Sequence, residues 1–183
     1  LSLKGTAPWG SDVTPALLDL SRAYFNRPFV CVASDGRSAF ISGTGQVRPG
    51  QKPDNIRHSC IWRVALPAKE KMLPFFGKME EPGGDETHLS VNPRGMALDG
   101  KGNLLIADCA SNRVVVVSEQ DGKFVGQFPV EKPDGLAVDP ASGAVYVTRL
   151  AAGNAVELVK FSGWKEPKEM AKFRVPPDGD PQN

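Results

Sequence analysis

The chain has only two histidines, His58 and His88, and each sits in a polar stretch rich in charge. Arg57 precedes His58, while Glu80, Glu81, Asp85 and Glu86 precede His88. Two imidazoles and several carboxylates are the ligand types that hold a divalent metal such as zinc or calcium, and a metal-bound water drives hydrolysis or lyase chemistry. The plainer reading is that solvated loops are polar and the histidines meet there without a shared task. A second pair, Asp108 and Arg113, brackets a short turn. Opposite charges at the two ends of a hairpin read as a closing ion pair before they read as catalysis. Cys109 follows directly, and as a nucleophile it would need a neighbouring base and a lowered pKa. A buried or simply exposed thiol is the better reading. Cys31, between Val30 and Val32, packs as a small apolar residue.

The three cysteines have no metal or haem spacing, and an odd count is no disulfide framework. The chain has no phosphate-binding glycine loop, nucleophile elbow or zinc-finger spacing. No catalytic set and no cofactor are therefore expected.

The elements that position these residues are short strands. Pro93 to Phe128 divides into four apolar runs, Gly95-Met96-Ala97-Leu98-Asp99, Asn103 to Asp108, Arg113 to Val117 and Lys123 to Phe128, separated by Gly, Asp and Asn. Such runs predict a hairpin-linked meander. A second copy starts 40 residues on (133 minus 93), where Pro133-Asp134-Gly135-Leu136-Ala137-Val138-Asp139 repeats the opening strand. Its later strands are Ala144 to Thr148, Ala155 to Phe161 and Glu169 to Val175, with Arg149 and Asn154 between the second and third. An earlier copy starts at Pro28, 65 before Pro93, with strands at Phe29 to Ala33, Ser38 to Ser42, Ser59 to Val64 and Met72 to Phe76. A strand-built period near forty is a β-propeller signature, because a four-stranded blade cannot bury either apolar face alone.

The Pro-x-Gly-apolar-Ala-apolar-Asp opening, the apolar-apolar-Ala-Asp second strand, Asn112-Arg113 and Asp121-Gly122-Lys123 resemble the NHL repeat family. The resemblance implies an all-β propeller of four-stranded antiparallel blades. About three blades are present, roughly half of a six-bladed ring, so the remaining blades are expected partners. Sugar-lactonase-like propellers carry a similar opening strand and hold a metal through Glu, Asn and Asp, which would make Asn154 and Asp134 ligands. The amidating-lyase branch uses several histidines around zinc, and only His58 and His88 are here. Bacterial relatives of the repeat are frequently exported, so the resemblance points outside the cytoplasm.

Asp99 and Asp139 share a repeat position before glycine-bearing turns; they read as turn aspartates bonding their own loop, with a carboxylate ring around the channel as the alternative. Trp62 and Trp164 read as blade-packing aromatics. Residues 1–27 do not fit the repeat, and Thr14-Pro15 before Ala16 to Tyr24 predicts a short helix. Blades at 28–77, 93–130 and 133–175 leave a long loop at 43–58, a second at 78–92 and a tail at 176–183. In a meander the loops after strands two and four emerge on one side, so both long loops share a face, and long loops are more often functional than connective.

With 22 Lys plus Arg against 21 Asp plus Glu, no basic footprint points to nucleic acid. No apolar run approaches the ~20 residues of a membrane span. Starting at Leu1 and ending in Pro176 to Asn183, the sequence reads as a piece of a longer protein. The expected role is a non-catalytic scaffold that binds a protein or ligand on the long-loop face, with a metal-dependent hydrolase or lyase as the alternative.

Overall fold

A computed structural model of the chain describes residues 28–42, 59–66, 73–79, 81–91, 93–152 and 155–175. The expected helix over 14–24, the 43–58 loop with Arg57 and His58, and Asn154 lie outside the described residues. Among the described residues twelve strands form three sheets of four. The first sheet holds β1 (Phe29–Val32), β2 (Ser38–Ser42), β3 (Cys60–Ala65) and β4 (Leu73–Gly77). The second holds β5 (Met96–Leu98), β6 (Asn103–Asp108), β7 (Arg113–Ser118) and β8 (Phe124–Pro129). The third holds β9 (Pro133–Val138), β10 (Val145–Leu150), β11 (Val156–Phe161) and β12 (Glu169–Val175). Each is an antiparallel meander in chain order. A short 3-10 turn at Cys109–Ser111 is closed by Asn112 in the left-handed region that asparagine tolerates. Among the described residues no helix is long and apolar enough to cross a membrane.

Turn hydrogen bonds fix how the copies align. Asp99 N donates to Asn103 O and Asp139 N to Ala144 O, both at 3.0 Å, and Ala33 N donates to Ser38 O at 2.9 Å. Ala33 thus matches Asp99, an offset of 66 (99 minus 33), so Pro28 corresponds to Arg94 and not to Pro93. The proline match follows a local backbone preference, whereas the pleat fixes register, and a slip of one residue would exchange the buried and exposed faces.

The sheets stack through two apolar seams. Phe40, Ile61 and Phe76 of the first meet Leu104, Ile106, Val115 and Val117 of the second. Leu105, Val114, Val116 and Phe128 of the second meet Val145, Val147, Val159 and Phe161 of the third. Alternate β7 side chains therefore point into different seams, which is why a strand buried on both sides reads as four consecutive valines. Burying each contributes about 1.5–3 kcal/mol. The opening strands approach closely: Gly95 N donates to Asp134 O at 2.8 Å, and a Cβ on Gly95 would lie 2.5 Å from that oxygen. Only glycine fits there.

The outer face of the third sheet has no neighbour among the described residues. Phe76, Phe128 and Phe173 hold one repeat position, paired with Ile61, Val114 and Leu158 respectively. The first two are 7% and 2% exposed, and Phe173 is 63% exposed.

Candidate functional site

The loop 81–91, the Cys109–Asn112 turn and the 130–132 connection meet on one face, as the hairpin count requires. Ser111 Oγ donates to Gly83 O at 3.5 Å, and Asn112 accepts from Val130 N at its carbonyl (3.1 Å) and from Lys132 N at Oδ1 (2.9 Å).

Asp108 and Arg113 fasten this face from beneath. Their side chains are 0% and 7% exposed, with Arg113 Nε 2.8 Å from Asp108 Oδ2. Asp108 Oδ1 also accepts from Ser90 N at 3.0 Å and from the Ser90 hydroxyl. Arg113 Nη1 donates to Gln127 Oε1 (2.6 Å) and Nη2 to His88 O (2.7 Å). The pair closes its hairpin and, through Ser90 and His88, pins the preceding loop to the second sheet.

Asp85, Glu86 and His88 ride on that pinned loop. Asp85 Oδ1 accepts from Thr87 N at 2.7 Å and His88 N at 2.9 Å, while His88 Nδ1 lies 2.8 Å from both carboxylate oxygens. Those bonds, led by the Thr87 amide, hold the Asp85 carboxyl well below the usual range. The other imidazole nitrogen, Nε2, lies 3.5 Å from Glu81 Oε2. Glu86 is exposed. Among the described residues no three His, Cys, Asp or Glu side chains gather as a metal site.

Nearer the opening strands, Arg94 Nη1 lies 2.5 Å from Asp134 Oδ1, and Arg94 O accepts from Ser42 Oγ at 2.7 Å. Arg94 therefore touches all three sheets. Burial opposes its charge, but the Asp134 hydrogen bond and charge outweigh this and raise its pKa. Cys109 is half-buried, and burial pushes its thiol up despite the opposing pull of Arg94, the reverse of the shift that activates a thiolate. Burial also takes Cys60 up to about 11. Arg149 and Glu157 make the third sheet's pair, Nη2 to Oε2 at 2.8 Å. They occupy the cross-strand position of Asp108 and Arg113 with the charges exchanged.

Asp99 and Asp139 are turn residues. Asp99 accepts from Lys101 N, Asn103 N and Asn103 Nδ2, and Asp139 accepts from Ala141 N and Ser142 Oγ. Sequence reasoning passed over Arg94 and Ser90. A signal existed for Arg94: it sits at the repeat position of Asp134, and equal positions in adjacent sheets are neighbours.

No protein-family model and no curated protein matches the chain. Solved structures do match: a nidogen/laminin complex (TM-score 0.50, 16% identity, 79% of this chain and 47% of that one). U3-55K matches with TM-score 0.51 and 15% identity over 79% of this chain and 38% of that one. Hydrazine synthase of Kuenenia stuttgartiensis matches with TM-score 0.52 and 15% identity over 80% and 35%. The chain thus spans less than half the length of these structures. The likeness is one of fold, and with its three stacked four-stranded meanders the chain is all-β and of the β-propeller type.

Proposed function

We propose that the chain is an NHL-type propeller segment, about three blades of a six-bladed ring, acting as a non-catalytic scaffold that binds a protein or small ligand across its loop face. The blades are 28–77, 93–130 and 133–175, with 78–92 as the inter-blade loop. The uncovered Phe173 supports continuation of the ring, since its counterparts Phe76 and Phe128 are buried by a following sheet.

The observation that carries the binding reading is the pinned 81–91 loop. Asp85, Glu86 and Glu81 project from a backbone already ordered by Ser90, Asp108 and Arg113, so a partner need not supply that ordering entropy. Asp134 and Arg149 extend the same charged rim, and Arg57, His58 and Asn154 are proposed for it from the sequence alone. One structurally similar chain comes from a nidogen/laminin complex, a protein–protein assembly. Balanced net charge and an acidic loop disfavour nucleic acid. To test this, the proteins retained by the immobilised full chain are compared with those held by an Asp85→Lys/Glu86→Lys variant and by Lys101→Glu on the opposite face. Loss in the first and retention in the second is expected. Identical retention by all three contradicts the reading.

A further inference from the structure

The two seams follow one pattern but end differently on the face opposite the loop face. Val117 and Phe161 are equivalent, being paired with Leu104 and Val145, so Gln120 and Trp164, three residues on, hold one place in the turn between third and fourth strands. In the seam between second and third sheets, Trp164 packs onto the core that contains Val116. Its ring covers Gly126, where a Cβ would lie 3.2 Å from the indole, and Nε1 donates to Asp99 Oδ2 at 3.3 Å. An aromatic plug closes that seam.

Between first and second sheets the same turn offers Gln120, and an open pocket of about 480 Å³ remains, lined by Arg37, Ser38, Arg63, Leu73, Phe75 and Gln120. Arg63 holds the position of Val116, since it pairs with Phe40 as Val116 pairs with Leu105. Its guanidinium is fixed by two neutral acceptors, Ser38 Oγ at 3.0 Å from Nε and Gln120 O at 3.1 Å from Nη1. Its carbon lies 5.6 Å from the Phe40 ring and 5.8 Å from Phe75. The carboxylates at the pocket edge are engaged elsewhere: Asp121 with Lys123 at 2.7 Å, Asp35 with its own turn at Arg37 N, 2.8 Å.

We propose that this pocket binds a small planar aromatic carboxylate, whose ring takes the place that Trp164 fills in the next seam and whose carboxylate accepts from Arg63. A half-buried cation held by neutral groups retains its demand for an anion, and a charge-assisted guanidinium–carboxylate bond is among the stronger polar contacts. Leu73 and Phe75 supply an apolar wall for the ring, and the volume lies within the roughly 300–1,000 Å³ of small-ligand pockets. The site is independent of the loop face.

The test is an amide and Arg-Nε NMR titration of the full chain with indole-3-acetate, cyclohexylacetate and inorganic phosphate. Saturable shifts at Ser38, Arg63 and Gln120 are expected with indole-3-acetate, weaker ones with the non-planar acid, and none with phosphate. Arg63→Gln weakens binding by about tenfold or more, the loss of one charged hydrogen bond. Gln120→Trp fills the seam and abolishes it; if that variant does not fold, Arg63→Lys is measured instead and binds several-fold more weakly. The proposal is overturned by no saturation up to about 10 mM, by equal response to all three probes, by shifts mapping elsewhere, or by variants that bind as tightly as the parent.

Discussion

Asp108→Ala removes the carboxylate that fastens the loop face. Its oxygens serve Arg113 Nε, Ser90 N and the Ser90 hydroxyl, all buried against the second sheet. Alanine leaves Arg113, 7% exposed, with Gln127 and His88 O as partners but without an opposing charge. Removing one member of a buried ion pair costs about 3–5 kcal/mol, because the other charge stays desolvated. The orphaned Ser90 amide would add about 1–3 kcal/mol if it stayed dry, but a released loop lets water reach it, so the total stays near the first figure. Against the 5–15 kcal/mol typical of a folded chain this is a large fraction, roughly a fifth or more. Urea unfolding followed by tryptophan fluorescence gives the loss, and amide exchange over 81–91 shows whether the loop opens. Asp108→Leu/Arg113→Met, which removes both charges, should cost less than the sum of the single changes. A loss under about 1 kcal/mol for Asp108→Ala, or strict additivity in the pair, would refute the fastening role.

Asp99 gives a pH prediction. Burial opposes its ionisation, but the Asn103 side chain, the Lys101 and Asn103 amides and the Trp164 indole outweigh it and lower the pKa. Its contribution is complete above the unfolded value of about 3.9 and is lost as pH falls through the lower folded value. Asp99→Asn should flatten the acid limb of urea midpoints measured from neutral pH downward; an unchanged limb contradicts the assignment. Zinc or calcium should leave the melting temperature unchanged, and a saturable rise that disappears in His88→Ala would restore the metal reading.

The strands were legible because turn residues and apolar runs encode them locally. The run Arg113 to Val117 and the glycines around Asp99 placed β5 to β8 within a residue or so of their observed ends. The gathering of loop 81–91, the Cys109–Ser111 turn and the 130–132 connection was legible too, since hairpin parity follows from strand order alone. What crosses between sheets was not. Ser34 donates to Glu119 Oε1 through its amide at 2.6 Å across 85 residues of sequence, and no local pattern encodes that contact. Nothing local distinguishes Ser90 from any loop serine, and only the folded chain brings it to Asp108. Arg63 was read as one more strand residue, although its departure from the apolar Val116 position carried the signal for the open seam.

Phe128 and Phe173 occupy one repeat position but only Phe128 is covered by a following sheet, which makes their truncations the most direct measurement of stacked blades. Urea unfolding should show Phe128→Ala losing about 3–5 kcal/mol. Phe173→Ala should stay within roughly 1 kcal/mol, as changes at exposed sites usually do. Equal losses at the two positions, or a larger one at Phe173, would contradict the stacking and with it the assignment of the loop face.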